Sequence, residues 1–345
     1  MTTVHVLVPD GIDDRPSGGN TYDRQVCACL AAQGWDVRRH SVAGAWPEPA
    51  DVDGLSGPAG AVAGLTAGLP DGALVLVDGL VAAAADAVLA AQAERLRLVV
   101  LVHMLFPGES AVLAAAAAVL VTSRWSRDEL LARYPVPADR VRIAPPGTEP
   151  AEPTPGSADG NRLLCVAALA PHKGQDVLVA ALAELAERSW QCSLVGPLDR
   201  DPVFVDRLRH QLVTAGLSER IRLTGPRTGR ALAAAYGSAD LLVLASRTET
   251  YGMVVTEALA RGVPVLATAV GGVPEALGRD ADGDRPGLLV PADDPAALAG
   301  ALRRWLDDAG LRERLRAAAR NRRQALTGWD ATAKIIGTVL AEVGR

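Results

Sequence analysis

Lysine is nearly absent from this sequence of 345 residues: of its 35 lysines and arginines, only Lys173 and Lys334 are lysine. There is no basic block, and the formal net charge is −5. Neither nucleic acid nor a polybasic membrane contact is therefore expected, since both need clustered cations to neutralise phosphate. Aromatic residues make up 3%, too few for a platform on which bases stack. The four cysteines, Cys27, Cys29, Cys165 and Cys192, lack the paired spacing of a metal site and read as buried thiols in a reducing cytosol. No apolar run is long enough to span a bilayer, and the opening MTTVHVLVPD enters a strand without a basic leader. A soluble, cytoplasmic protein is expected.

What the chain holds in quantity is apolar side chains, 49% of the total, enough to fill two α/β cores of roughly 150 residues each. In the first half the patterns predict strands over 4–9, 73–77, 98–103, 118–122 and 141–144. Helices are predicted over 21–33, 82–95, 111–117 and 126–133, with Gly18–Gly19–Asn20 as a loop. Residues 145–161, PPGTEPAEPTPGSADGN, have no period and read as a linker. The alternation then restarts, with strands over 163–168, 191–195, 221–224, 240–245, 263–268 and 288–290 and helices between them. Asp294–Pro295 opens a helix through Leu306, residues 311–324 continue as helix, and an amphipathic helix begins at Trp329. Repeated βα units predict parallel sheets covered on both faces, so the fold class is α/β with two doubly wound, Rossmann-like domains.

Chemistry-bearing residues cluster after strands. In Ser246–Glu275, Glu249 stands on a loop after a strand and Glu257 eight positions later inside a helix, so both acids can face one ligand. Tyr251–Gly252 turns the backbone into that helix at Met253. Glu257 lies in the apolar run MVVTEALA, where a carboxylate needs a partner, and its paired acceptors suit vicinal hydroxyls. Lys173, in Ala170–Pro171–His172–Lys173–Gly174, sits between a strand and a helix, where a compact cation and free N–H groups can meet a phosphate. A solvated lysine in an ordinary turn is the competing reading. Gly18–Gly19 follows the first strand and lets backbone approach a charged ligand, without forming a dinucleotide fingerprint. His103 ends a buried strand ahead of Met104–Leu105–Phe106–Pro107–Gly108 and can donate to a sugar hydroxyl or act as a base, although a lone histidine is more often structural.

Taken together, these residues resemble family 4 retaining glycosyltransferases, the glycosyl transferases group 1. The signature is residues 246–272, with Glu249 and Glu257 at their spacing. The likeness extends through Gly18–Gly19, His103, Thr122–Ser123–Arg124, residues 141–147, Lys173–Gly174, Val195–Gly196–Pro197, residues 223–225 and residues 287–291. It implies the GT-B fold: residues 1–150 as an acceptor-binding domain, 151–326 as a nucleotide-sugar domain facing it across a cleft, and 327–345 as a helix crossing back onto the first domain.

The resemblance also implies roles. Lys173 and the backbone of Gly18–Gly19 would hold the diphosphate, Glu257 the ribose, and Glu249 with Thr250, Tyr251, Gly252 and Met253 the donor sugar, with His103 near its reacting face. Family members usually carry a Gly-Arg pair five residues before the lysine; here those positions are Ala167 and Ala168. Losing one such donor costs about 2.7–4 kcal/mol unless another group replaces it, and Arg227, Arg247 and His172 are the candidates. The activity implied is hexosyl transfer with retention from a nucleotide diphosphate sugar, uridine ahead of guanosine, to a small-molecule acceptor. The donor is a substrate, so no cofactor is expected. Nor is a metal, since Asp199–Arg200–Asp201 reads as a loop outside the cleft. Two alternatives share the fold: an isomerase or hydrolase acting on the sugar nucleotide, and a non-catalytic sugar-nucleotide binding protein. A homo-oligomer is left open.

Overall fold

The structure, a computed structural model, describes residues 2–44, 46, 57–105 and 110–345. Phe106, Pro107 and Gly108, named above beside His103, lie outside the described residues. The chain divides into two compact units, Met1–Gly147 with Thr327–Arg345, and Thr148–Leu326.

The first unit runs β1 (Thr3–Pro9), α1 (Gly18–Ala32), β2 (Asp36–Val42), α2 (Pro58–Ala67), β3 (Leu74–Asp78), α3 (Gly79–Ala84), α4 (Asp86–Gln92), β4 (Arg97–Val102), α5 (Ser110–Ala115), β5 (Ala118–Val121), α6 (Arg124–Arg133) and β6 (Val141–Ile143). The second runs β7 (Arg162–Val166), α7 (Gln175–Ala183), β8 (Gln191–Val195), α8 (Pro202–Thr214), β9 (Ile221–Leu223), α9 (Gly229–Gly237), β10 (Leu241–Leu244), α10 (Met253–Leu259), β11 (Val265–Thr268), α11 (Val273–Leu277), β12 (Gly287–Val290), α12 (Pro295–Asp307) and α13 (Ala309–Arg323). The chain returns to the first unit through α14 (Trp329–Val343).

Each unit holds a six-stranded sheet, ordered β2-β1-β3-β4-β5-β6 and β12-β11-β10-β7-β8-β9, and every pairing is parallel. Parallel strands need helical crossovers, which cover both faces, so central strands must be apolar throughout. All residues of β3, β5, β10 and β11 are buried. No helix among the described residues is long and apolar enough to cross a membrane.

Five expectations are corrected. The strand β2 went unread because DVRRHSV mixes charge with few apolar residues. It is an edge strand, and its exposed Arg38 and Arg39 give the edge the charged character that discourages further pairing. The single helix over 82–95 is two, α3 and α4, interrupted at Ala85 with φ −126° and ψ 29°. Gly18–Gly19–Asn20 is the first turn of α1: Ser17 is its N-cap, and its Oγ accepts from Asn20 N at 3.1 Å. The boundary between the units falls inside the segment read as a linker, after Gly147, but the rest of that segment is pinned to the second unit. Thr154 N donates to Arg261 O and its Oγ1 to Gly237 O, while Ser157 bonds Asp240 through both N and Oγ. The thiols also differ from expectation: Cys165 and Cys192 are buried, whereas Cys27 and Cys29 are half-buried.

Helix α14 docks within the first unit by the face its sequence pattern marks out: Trp329, Ala333, Ile336, Val339 and Leu340 are buried. Thr332 Oγ1 donates to Pro145 O at 2.7 Å, Gln33 Nε2 to Asp330 O at 2.9 Å, and the Tyr22 ring meets Trp329 edge-on at 5.3 Å. Gly147 permits this docking. A Cβ there would lie 2.4 Å from both N and Cα of Trp329, backbone that cannot swing aside. Gly147→Ala is expected to lower stability by about 1–3 kcal/mol, read as a lowered urea midpoint, while Gly64→Ala, at an exposed position inside α2 where the Cβ meets nothing within 4 Å, is expected to raise it by about 0.5–1 kcal/mol through helix propensity.

Candidate functional site

Open parallel sheets bind ligands beyond the carboxyl ends of their strands, where the order reverses and neighbouring connections leave on opposite faces. In the second unit β7 pairs with both β8 and β10, and the order β9-β8-β7-β10-β11-β12 is the doubly wound 3-2-1-4-5-6 arrangement. Its reversal therefore lies between β7 and β10. The turn after β7 carries Lys173, and the loop after β10 carries Arg247 and Glu249. Lys173 Nζ donates to Glu249 Oε1 at 2.7 Å, and Ser246 Oγ donates to the same oxygen at 2.8 Å. The lysine and glutamate side chains are 20% and 12% exposed, so a ligand can reach the pair without its being dissolved in bulk water.

Close backbone approach holds both loops. Gly174 has φ 65°, and a Cβ on it would lie 1.9 Å from Ala245 O; Gly271 has φ 52° and would place a Cβ 1.6 Å from Glu249 O. Gly272 N donates to Glu249 O at 3.0 Å. Gly252, with φ 92°, caps α10, whose first residue is Met253. Thr250 and Tyr251 complete the loop, and burial pushes the Tyr251 phenol up to about 12.

Glu257 finds the partner its apolar setting demands in a residue the sequence reading passed over: Tyr236 of α9 donates its hydroxyl to Oε2 at 2.7 Å. Arg261 stacks on the Tyr236 ring, 4.8 Å from its centroid, and donates to Glu257 O. Burial raises the Glu257 carboxyl above the ordinary range, against the lowering by Tyr236 and Arg261. Its contacts are with Tyr236 and Arg261.

Of the three candidate replacement cations, Arg247 is already engaged. Nη1 and Nη2 grip both oxygens of Asp176 at 2.9 and 2.8 Å, Nε meets Asp293 at 2.6 Å, and Nη1 also donates to Pro171 O. Its backbone N donates to His172 O at 2.8 Å. Arg247 thus ties the loop after β10 to the turn bearing Lys173. His172 is held below the ordinary imidazole value by partial burial and then by the Lys173 charge, which disfavours its cationic form. Arg227 is exposed, in the turn between β9 and α9.

In the first unit β1 pairs with both β2 and β3, and the order reverses between β1 and β3. Gly18 and Gly19 open α1 after β1, and His103 follows β4. A Cβ on Gly19 would lie 3.3 Å from His103 Cδ2, so the glycine lets the imidazole lie against the helix start. Asp23 and Asp78, both unread in the sequence, meet His103 Nε2 at 2.9 and 3.4 Å. Asp78 also caps α3, accepting from Leu80 N and Val81 N. Asp23, Asp78 and His103 form the one group among the described residues whose ligand atoms could meet at a metal ion, all within 4.8 Å of one another. The sequence signal was an acid within an otherwise ordinary helix and another ending an apolar strand, neither of which marks a site until the fold joins them. Asp201 of the Asp-x-Asp sequence caps α8 through Phe204 N at 2.8 Å.

The family pattern Glycosyl transferases group 1 matches residues 151–322. The D-inositol 3-phosphate glycosyltransferase of Kineococcus radiotolerans is 35% identical over 250 residues, 66% of this chain and 57% of that protein. That of Xylanimonas cellulosilytica is 32% identical over 255 residues, 69% and 60%. The matches thus span less than two thirds of these relatives. Among solved structures, sucrose-phosphate synthase from Thermosynechococcus elongatus superposes with a TM-score of 0.80 at 25% identity, over 99% of both chains. Anabaena HepE, solved with UDP and glucose, gives 0.78 at 18% identity, over 99% of this chain and 100% of that one. The two doubly wound units have the GT-B fold, and through residues 151–322 the chain belongs to the group 1 glycosyl transferases.

Proposed function

We propose that this protein transfers a sugar, with retained anomeric configuration, from a nucleotide diphosphate sugar to a hydroxyl or amine of a small soluble acceptor. The observation that carries the reading is the Lys173–Glu249 pair at the order reversal of the second sheet, 2.7 Å apart and partly open to solvent. Glycosyl transfer separates charge, leaving a growing anion on the diphosphate and a cationic sugar. Lys173 answers the first and Glu249 holds the sugar that bears the second. Glu257, with Tyr236 bonded to Oε2, keeps Oε1 for the ribose hydroxyls. The backbone of Gly18–Gly19 and His103 belong to the first unit, to which acceptor binding is assigned.

A uridine nucleotide is the first donor to try, because HepE was solved with UDP-glucose. A phosphorylated polyol is the first acceptor, because the relatives are named for D-inositol 3-phosphate. No metal or other cofactor enters the proposed reaction, and unchanged rates after EDTA treatment are expected. For the cation missing at Ala168, Arg227 is the side chain left free of the turn-binding role that Arg247 fills.

With UDP- and GDP-sugars offered against phosphorylated and free polyols, mass detection should show a glycosylated product, and anomeric NMR should show retention. Lys173→Ala is expected to lower kcat by about 10²–10³-fold. Donor consumed as fast without acceptor as with it would instead favour a hydrolase or isomerase.

Arg247→Ala is expected to act through the turn. Burial alone would raise the Asp176 carboxyl, but the Arg247 hydrogen bonds and charge outweigh it and the net shift is downward from 3.8. A depressed carboxyl contributes stability above its unfolded value and loses it as pH falls through the folded one. The wild type should therefore exceed Arg247→Ala by no more than about 1 kcal/mol near pH 7, since the pair is partly screened by solvent. That difference should close below pH 3.8, as followed by urea denaturation across pH.

A further inference from the structure

Two carboxylates from different elements converge on one ring nitrogen. Asp23 of α1 and Asp78 at the end of β3 are each 3% exposed, and both face Nε2 of His103, itself 15% exposed. Buried carboxylates need a cation or a full set of donors. Asp78 has a structural use in capping α3 through Oδ1. Asp23 has none: it lies in the interior of α1, caps nothing, and its Oδ2 is buried without a hydrogen-bond partner. An apolar residue would serve packing better at that position, so a carboxylate there points to the charge it brings to His103.

The ring is fixed in place. Gly19 lies against its Cδ2 edge, and the Tyr22 ring meets it edge-on at 4.9 Å, with the Tyr22 hydroxyl bound to Ala144 O at 2.8 Å. With Nε2 turned toward both acids, Nδ1 is the nitrogen that neither carboxylate engages. Its chemistry depends on charge. In a neutral ring with its proton on Nε2, Nδ1 is an acceptor; in an imidazolium it is a donor.

We infer that Asp23 is a positioning residue for sugar transfer: it holds His103 as an imidazolium with Nε2–H directed inward, so that Nδ1–H donates to an oxygen of the bound substrate. This rests on the glycosyl-transfer reading above. The titratable groups around the ring are Tyr22 and Asp23 from α1 and Asp78 from β3. Burial pulls the imidazole down, and the Asp23 charge and hydrogen bond, followed by the Asp78 charge, carry it above its ordinary value of 6.5. Burial and then the Asp23 charge push the Asp78 carboxyl up to about 7, and Asp23 is the acid nearer the ring nitrogen, at 2.9 Å against 3.4 Å. His103 keeps its proton throughout, so no bond to hydrogen is made or broken.

The test is the titration of His103 by NMR in protein labelled at histidine. There are five histidines, and the His103 signal is assigned by its loss in His103→Asn. In the wild type it should titrate above 6.5. In Asp23→Asn it should fall by ~1–3 units, and Asp23→Glu should restore it. Loss of the imidazolium removes the donor as pH rises, so the alkaline fall of kcat/KM should move to lower pH in Asp23→Asn by the same interval. A wild-type His103 that titrates at or below 6.5, or one that Asp23→Asn leaves unmoved, overturns the proposal. So does a zinc ion that abolishes the His103 signal at one equivalent, because the cluster would then be a metal site. If Asp23→Asn does not fold, the wild type and Asp23→Glu decide by the same criterion. A His103 signal that behaves as expected in a protein transferring no sugar overturns the glycosyl-transfer reading instead, so the two failures are told apart.

Discussion

Parallel pairing on both sides of β7 is the constraint from which Lys173, Arg247 and Glu249 take their positions. Because β8 and β10 both run parallel to β7, the crossovers to either side leave on opposite faces, and the carboxyl ends of β7 and β10 open a crevice that no helix can fill. Lys173 and Glu249 come from the two loops at that edge. Their 2.7 Å contact follows from topology, since they are 76 residues apart in the chain. The same rule acts on β1 in the first sheet, where Gly19 begins a helix against which the His103 imidazole rests.

Glycine and arginine make the crevice rigid by different means. Gly174 and Gly271 remove side chains where two backbones come within contact distance, so the loops touch directly. Arg247 supplies the complementary tie, bridging Asp176, Asp293 and the turn carbonyl of Pro171. A planar guanidinium with donors in a fixed fork can satisfy two carboxylates and a carbonyl at once, which a lysine cannot. Lys173, by contrast, meets the single oxygen Glu249 Oε1, a contact that a compact cation makes without a fork of donors.

The first unit handles charge differently. Asp23 and Asp78, at 3% exposure, are more deeply buried than the Lys173–Glu249 pair, and opposite charges at that depth are hardly screened. A group so enclosed has its protonation set by its neighbours, which is why two acids that cap or line secondary structure can decide what a histidine offers to a ligand.

The alternation of apolar runs with helical periods carried the α/β class, most strands to within a residue or two, and the amphipathic face of α14, because these depend on local pattern and burial. Lys173, Glu249 and Glu257 stood out by residue type and position after strands. The charged edge strand β2 was illegible because an edge needs little apolar surface, and the first turn of α1 was hidden by two glycines whose poor helix propensity Ser17 overcomes by capping. Tyr236 beside Glu257, the bracing of Arg247 by Asp176 and Asp293, and the meeting of Asp23 and Asp78 at His103 were decided by tertiary structure alone. Each joins side chains tens of residues apart whose individual settings are ordinary, and a sequence records the residues while only the packed sheets and helices fix which of them share a desolvated space.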